Sequence, residues 1–217
     1  MKKKHVKAAI FDIDGVVVGT SYLHYLAWKE SFRGHSVKFS YKDFKKSIDG
    51  MPRDKGARHM FPDFDEKQIS RICADKQKKF NSLMAGSKIK VYKSTVRFIK
   101  ALKKRGIKTA MASSSKNAGP ILKKLGLYGL FDADARGAFV KKGKPHPDIF
   151  LRAARRLRIK PEECVVFEDA QNGIDAAKKA KMKCVAIERG KGHSLRGADI
   201  TVKDMRFLTI ERFFGIL

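Results

Sequence analysis

Two aspartates stand one residue apart in AAIFDIDGVVVGT, residues 8–20, at the end of an apolar run. Asp12 and Asp14 therefore reach one strand end together, where like charges repel and apolar flanks raise the cost of each. Cations have to offset that repulsion. Three later stretches bring matching polar groups. ASSSKN at 112–117 supplies Ser113, Ser114, Ser115, Lys116 and Asn117, GKPHPD at 143–148 supplies Lys144, and FEDAQNG at 167–173 supplies Glu168 and Asp169. Taken singly, each stretch has a plain structural reading: an acidic turn, a helix cap, a proline-rich loop, an acidic helix entry favoured by the helix dipole. Their order, each after a strand or before a helix, is what points to chemistry.

In that order, Asp-x-Asp-Gly, Ser, Lys-Pro and Glu-Asp, the set resembles the haloacid dehalogenase superfamily of phosphotransferases over essentially the whole chain. Phosphoryl transfer brings an anionic nucleophile to an anionic phosphate, so a divalent metal and cations must neutralise the approach. The resemblance makes Asp12 the nucleophile that forms an aspartyl-phosphate and Asp14 the general acid/base, its backbone carbonyl on the metal. Asp169 completes the metal site, with Glu168 beside it directly or through water. Oxygen-only ligands suit Mg²⁺. Ser113 then hydrogen-bonds the transferring phosphate and Lys144 neutralises it as a point charge.

The cap decides the substrate. HYLAW places His24 and Trp28 at i and i+4 on one helix face; Trp28 reads mainly as core, whereas His24 can swing over the site on a cap linker. HxxAW at this position resembles β-phosphoglucomutases and the nearest sugar-phosphate phosphatases. A mutase working through a bisphosphate must hold a second phosphate. In that branch the second cradle is a cap arginine plus a Ser-Lys-Asn run, matched here by Arg53 in GMPRD and by Ser115, Lys116 and Asn117, with Ser114 adjacent. An arginine fork binds phosphate bidentately, and helix N-terminal amides assist. Lys76 in DKQKKF matches a cap lysine that pairs with the histidine. One departure stands out: Gly19–Thr20 occupies the linker where the family places an aspartate before Ser or Thr. Glycine loosens the backbone, and a looser cap favours hydrolysis over transfer. The expected activity is the interconversion of β-glucose 1-phosphate and glucose 6-phosphate through the 1,6-bisphosphate. A phosphatase of sugar phosphates is the alternative.

These residues need a scaffold. The apolar pattern predicts strands at 6–11, 107–113, 164–169, 183–188 and 199–202, with FDADAR at 131–136 strand-like. It predicts helices over 21–32, 93–105, 117–125, 147–157 and 171–181, with Ser21 as N-cap and Gly34 as stop for the first. Alternation of this kind is α/β: a Rossmann-like parallel sheet with helices on both faces, whose ligands bind beyond the carboxyl ends of the strands. Helical stretches at about 40–48, 53–60 and 65–84 make 18–86 an inserted all-helical cap, leaving 1–17 and 87–217 as the core.

Bulk properties narrow the partners. The chain has 217 residues and carries 49 Lys plus Arg against 22 Asp plus Glu, a net +27. Such a surface attracts polyanions without sequence preference, so a non-catalytic nucleic-acid binder is a third reading. The plainer one is a soluble cationic enzyme that draws in a small phosphorylated sugar and binds polyanions weakly. No apolar run approaches the roughly 18 residues needed to cross a bilayer. MKKKHVKAAIF resembles the start of a signal peptide, but Asp12 and Asp14 break the apolar stretch at once. Cys73, Cys164 and Cys184 are odd in number and far apart, with neither disulfide nor metal spacing. A cytoplasmic monomer is expected.

Overall fold

The computed structural model describes residues 6–136, 142–189 and 194–215; the basic start read against a signal peptide lies partly outside them, at 1–5. Six parallel strands form one sheet in the order β3-β2-β1-β4-β5-β6. They are β1 (Ala8–Phe11), β2 (Lys108–Met111), β3 (Ala133–Asp134), β4 (Cys164–Glu168), β5 (Lys183–Ile187) and β6 (Ile200–Val202). Ala8 of β1 lies between Lys108 of β2 and Cys164 of β4. Covered on both faces, β1 and β4 are buried throughout, which is why their sequences are apolar without alternation. One face packs on α5 (Lys93–Lys104), α6 (Ala118–Lys124) and α9 (Ile210–Phe214), the other on α7 (Asp148–Leu157) and α8 (Gln171–Lys179). Phe167 centres the first core, stacked at 4.4 Å on Phe11 and within 6 Å of Phe98 and Phe213.

Between β1 and α5 lie four helices: α1 (Ser21–Ser31), α2 (Tyr41–Ser47), α3 (Arg53–Met60) and α4 (Glu66–Ala85). They build a separate core from Tyr25, Trp28, Phe32, Phe39, Phe44 and Phe61. Local chemistry sets the starts of two of them. Ser40 and Asp43 cap α2 reciprocally, and Asp65 and Gln68 do the same for α4. Ser21 does not cap α1. It is the first helical residue, Thr20 precedes it, and the Thr20 hydroxyl turns to Asp14 instead of the helix amides. Gly34, at φ +88°, follows the end of α1 as expected. FDADAR contributes only two strand residues, because β3 is an edge strand paired on one side. Among the described residues no helix is long and apolar enough to cross a membrane.

The outgoing and returning linkers of the cap form a small ladder. Val18 bridges Val91 antiparallel, Gly19 N–H donates to Lys90 O at 2.8 Å, and Tyr92 N–H donates to Val17 O at 2.9 Å. A Cβ at Gly19 would lie 3.2 Å from Lys90 Cβ, so this glycine permits a close crossing where the sequence suggested a loose hinge. Arg189, just beyond β5, clamps both linkers. Its Nε donates to Gly15 O at 3.0 Å, its Nη2 to Thr95 Oγ1 at 3.2 Å, its Nη1 pairs with Asp204 at 2.7 Å, and the guanidinium lies 3.7 Å over the Tyr92 ring. Hydrogen bonds to a charged group are each worth roughly 1.5–3 kcal/mol. Arg189→Met should therefore speed amide exchange of Gly19 and Tyr92 by roughly tenfold or more and leave the β4 and β5 amides protected, as hydrogen-exchange mass spectrometry would show. Uniform loss of protection across the sheet would contradict a local clamp.

Candidate active site

The carboxyl edge of the sheet gathers the polar residues. Asp12 follows β1, its N–H continuing the ladder to Phe167 O at 2.9 Å. Lys144, its side chain wholly buried, donates to Asp12 Oδ1 at 2.5 Å and to Glu168 Oε1. The other Glu168 oxygen accepts the N–H groups of Asp169 and Ala170, at 2.9 and 3.1 Å. Both carboxylates of the Glu-Asp pair need glycines beside them. A Cβ on Gly173 would come within 2.0 Å of the Glu168 carboxyl, and one on Gly15, at φ +85°, within 2.1 Å of Asp169 Oδ2. Burial pushes the Asp12 carboxyl up, and Glu168, Asp14 and Asp169 push it further against Lys144. Burial opposes the charge on Lys144, but Asp12 and Glu168 together outweigh it and hold the ammonium in its charged form.

Asp14 faces the cap. Thr20 Oγ1 donates to its Oδ1 and Ser113 Oγ to its Oδ2, the latter at 3.0 Å, while His24 Nε2 lies 3.3 Å from Oδ1. Burial alone would raise this carboxyl, but His24, Thr20 and Ser113 outweigh it and hold it at about 2. His24 Nδ1 is 2.7 Å from Lys76 Nζ, and its ring stacks on Phe80 at 4.1 Å. While Lys76 carries its full charge it only donates, so Nδ1 then accepts and the ring proton sits on Nε2, toward Asp14. Burial and the Lys76 charge keep the imidazole pKa below its ordinary value.

These groups line a cavity of about 420 Å³ between cap and core, within the range of small-molecule sites. Thirteen of the fourteen residues expected from the sequence line it: Asp12, Asp14, His24, Trp28, Arg53, Lys76, Ser113, Ser114, Ser115, Lys116, Asn117, Glu168 and Asp169. Lys144, the fourteenth, stands behind Asp12. Ser114 Oγ donates to Gly50 O in the cap at 2.6 Å, and Ser115 N–H donates to Ser113 Oγ at 3.0 Å. Trp28 packs on Phe32 and lies under Lys76, so it serves the cap core and the cavity wall together.

Two residues the sequence did not single out, Gln77 and Asp49, also line the cavity, and a third, Lys45, pairs with acids on its wall. Gln77 bridges cap and core, accepting from Arg53 and donating to Asn117 at 3.1 Å. Lys45 reaches from α2 to Asp169 Oδ2 at 3.0 Å and also pairs with Asp49. The two carboxylates raise the Lys45 pKa against the opposing effect of burial. Lys45 and Asp49 have the i, i+4 spacing of a helix pair, but nothing local announces the contact with Asp169, 124 residues away.

The donor set suits a hard divalent cation. Asp12, Asp14 and Asp169 offer oxygen only, and after burial, the larger cause, the neighbouring carboxylates add to the rise of the Asp12 pKa. Among the described residues no three Asp, Glu, His or Cys side chains form a cage by themselves. Such an ion would need backbone carbonyl, water or phosphate oxygens, which matches the habit of Mg²⁺ to use one or two carboxylates.

Lys76 provides a pH test. Burial and then Arg53 lower its pKa to about 7, below the unfolded value near 10.4. The unfolded chain therefore binds more protons between those values, and this residue's contribution to stability rises with pH across that window, by up to roughly 1.4 kcal/mol per unit. Urea denaturation from pH 7 to 10 should show the wild type gaining on Lys76→Met; a constant difference would refute the assignment.

The haloacid dehalogenase-like hydrolase family matches residues 6–181. The chain is 34% identical to a β-phosphoglucomutase of Bacillus subtilis over 95% of this chain and 93% of that protein. It is 29% identical to a phosphorylated carbohydrates phosphatase of Thermotoga maritima over 94% and 98% of the two chains. A crystal structure of β-phosphoglucomutase from Clostridium difficile superposes with a TM-score of 0.86 at 29% identity, covering 97% of this chain and 96% of that one. Motif order, fold and site geometry agree with these likenesses, and the chain belongs to the haloacid dehalogenase-like hydrolase family.

Proposed function

We propose that this enzyme is a Mg²⁺-dependent β-phosphoglucomutase, converting β-glucose 1-phosphate to glucose 6-phosphate through an aspartyl-phosphate on Asp12 and the 1,6-bisphosphate. One observation carries the reading. The cavity has cations in two places: Lys144 behind Asp12, and Arg53 and Lys116 on a cap–core seam bridged by Gln77 and Asn117. Two phosphates call for two cationic cradles. The Bacillus subtilis relative carries this name.

In the transfer, the sugar 6-hydroxyl gives its proton to Asp14 as its oxygen attacks the phosphorus on Asp12, and the Asp12 oxygen–phosphorus bond breaks. After the bisphosphate turns over, Asp12 takes the 1-phosphoryl group and Asp14 returns the proton to the leaving sugar oxygen. His24, neutral with Nε2–H toward Asp14, steadies that carboxylate through the proton's absence, and Lys76 fixes its tautomer. Ser113 and Lys144 bind the transferring phosphoryl oxygens. Asp12, Asp169 and the Asp14 carbonyl, with Glu168 adjoining, would hold Mg²⁺, which supplies charge neutralisation of the phosphate when bound. The cap, 18–86, closes over 1–17 and 87–217 as a unit and excludes water. Free Cys73, Cys164 and Cys184 suit a reducing cytoplasm.

The second reading, a sugar-phosphate phosphatase, has the Thermotoga maritima relative on its side. Incubation with β-glucose 1-phosphate, Mg²⁺ and a trace of bisphosphate separates the two, with glucose 6-phosphate and free phosphate followed independently. Glucose 6-phosphate should accumulate, Asp12→Asn should abolish it, and Arg53→Ala should cut it by roughly 10–100-fold, as expected for a lost charged hydrogen bond. Free phosphate without isomerisation would leave the phosphatase.

A further inference from the structure

The helices that flank the sheet run antiparallel to its strands, so their C-termini all lie at the amino edge of the sheet, opposite the cavity. On one face α5 ends in Lys103 and Lys104, and α6 in Lys123 and Lys124. On the other α7 ends in Arg155 and Arg156, and α8 in Lys178 and Lys179. Lys7 and Lys108 add charge at the strand starts, and both are exposed. The helix dipole favours cations at a helix C-terminus; four of the five flanking helices carry a pair there, and α9 carries Arg212 alone. The acids at this edge are largely engaged. Glu163 pairs with Lys7 at 2.7 Å, Asp132 with Lys103 at 2.6 Å, and Asp199 with Lys178 and Lys183 at 2.8 and 3.2 Å. Glu162 is a further acid there, and Glu211 of α9 interacts with Arg105 at the end of α5.

Backbone geometry gives an independent sign. All four helices end in the same motif, with a six-to-one bond from Ile107 to Leu102, Leu127 to Leu122, Ile159 to Ala154 and Met182 to Ala177, at 2.8–3.1 Å. The left-handed residue of that motif is Gly106 and Gly126 on one face, but Arg158 and Lys181 on the other, at φ 58° and 59°. Glycine takes this conformation without strain and a side chain does not. The α7–α8 face thus keeps two exposed cations where the backbone favours glycine.

We infer that the amino edge of the sheet is a docking surface for the phosphate backbone of nucleic acid, read without sequence preference. Six strands about 4.8 Å apart make the edge roughly 25 Å wide, comparable to a duplex that presents one charge per about 1.7 Å of axis. A membrane surface fits less well, since binding there adds an apolar face. Of the exposed large hydrophobic residues among those described, Tyr22, Phe207 and Phe214, only Phe214 closes a flanking helix, α9, and a single ring is not an apolar face. The surface and the cavity occupy opposite edges, so both can be filled at once.

The test uses the full chain, a fluorescent 20-base-pair duplex and salt from 50 to 300 mM. The wild type should bind with a steep salt dependence. Lys124→Gln, Arg155→Gln, Arg156→Gln and Lys179→Gln combined should weaken binding at least about tenfold and reduce the salt slope by about 3 to 4. A control with equal charge loss in the cap, at Lys46, Lys67, Arg71 and Lys78, should change affinity by less than about threefold, a gap wider than net charge alone gives. Arg158→Gly with Lys181→Gly should weaken binding while melting at or above the wild-type temperature, which separates charge from folding. Equal loss in the cap control, unchanged binding by the glycine variant, absence of salt-sensitive binding, or tighter association with phosphatidylserine vesicles than with duplex would each overturn the assignment.

Discussion

Lys144 is the interaction on which the site depends. Four carboxylates, Asp12, Asp14, Glu168 and Asp169, converge at the end of two adjacent central strands, and Lys144 is buried between the first and third. Removing a buried partner of this kind leaves uncompensated charge, which is far more costly than a surface pair. The lysine therefore fixes where Asp12 and Glu168 sit, and the adjoining carboxylates crowd further negative charge beside them. Gly15 and Gly173 exist in this arrangement as space, since a methyl group at either would displace an acid.

The cap meets that charge with its own cations. Lys45 touches Asp169 from α2, and Lys76 backs the histidine that faces Asp14 from α1. Asp14 and Asp169 of the core are thus each met by a group from the cap, and the contact between the two is an electrostatic match as much as a packing one. Arg189 extends the same logic to the linkers, where a guanidinium satisfies carbonyls of the outgoing segment while stacking on the returning one. The two linkers are tied to each other by backbone hydrogen bonds before they diverge into cap and core.

Local pattern made much of this readable. β1 and β4 are apolar runs because both faces are covered, and the acids sit where those runs stop. The capping boxes at Ser40 and Asp65 mark their helices within four residues. What escaped the sequence has a common cause. α9 is five residues long and is held by Phe213 packing on Phe98 and Phe167, so its own periodicity says little. Gln77 looks like any polar residue on a solvated helix face until α4 is set against Asn117. Thr20 resembles a helix cap, and the competing Asp14 oxygen decides otherwise.

The sequence by itself determined the α/β alternation and the inserted helical cap, because these depend on chain-local spacing of 2 or 3.6 residues, while the acids, serines and lysine of the site were legible through the motif order that resembles the family. Tertiary structure alone decided which charges neutralise which. Lys144 could face any carboxylate until β1 and β4 lie side by side, and Lys45 finds Asp169 only when the cap rests on the core. The same holds for the last-turn cations of α5, α6, α7 and α8: separated along the chain, they reach one edge because helices that connect parallel strands end there.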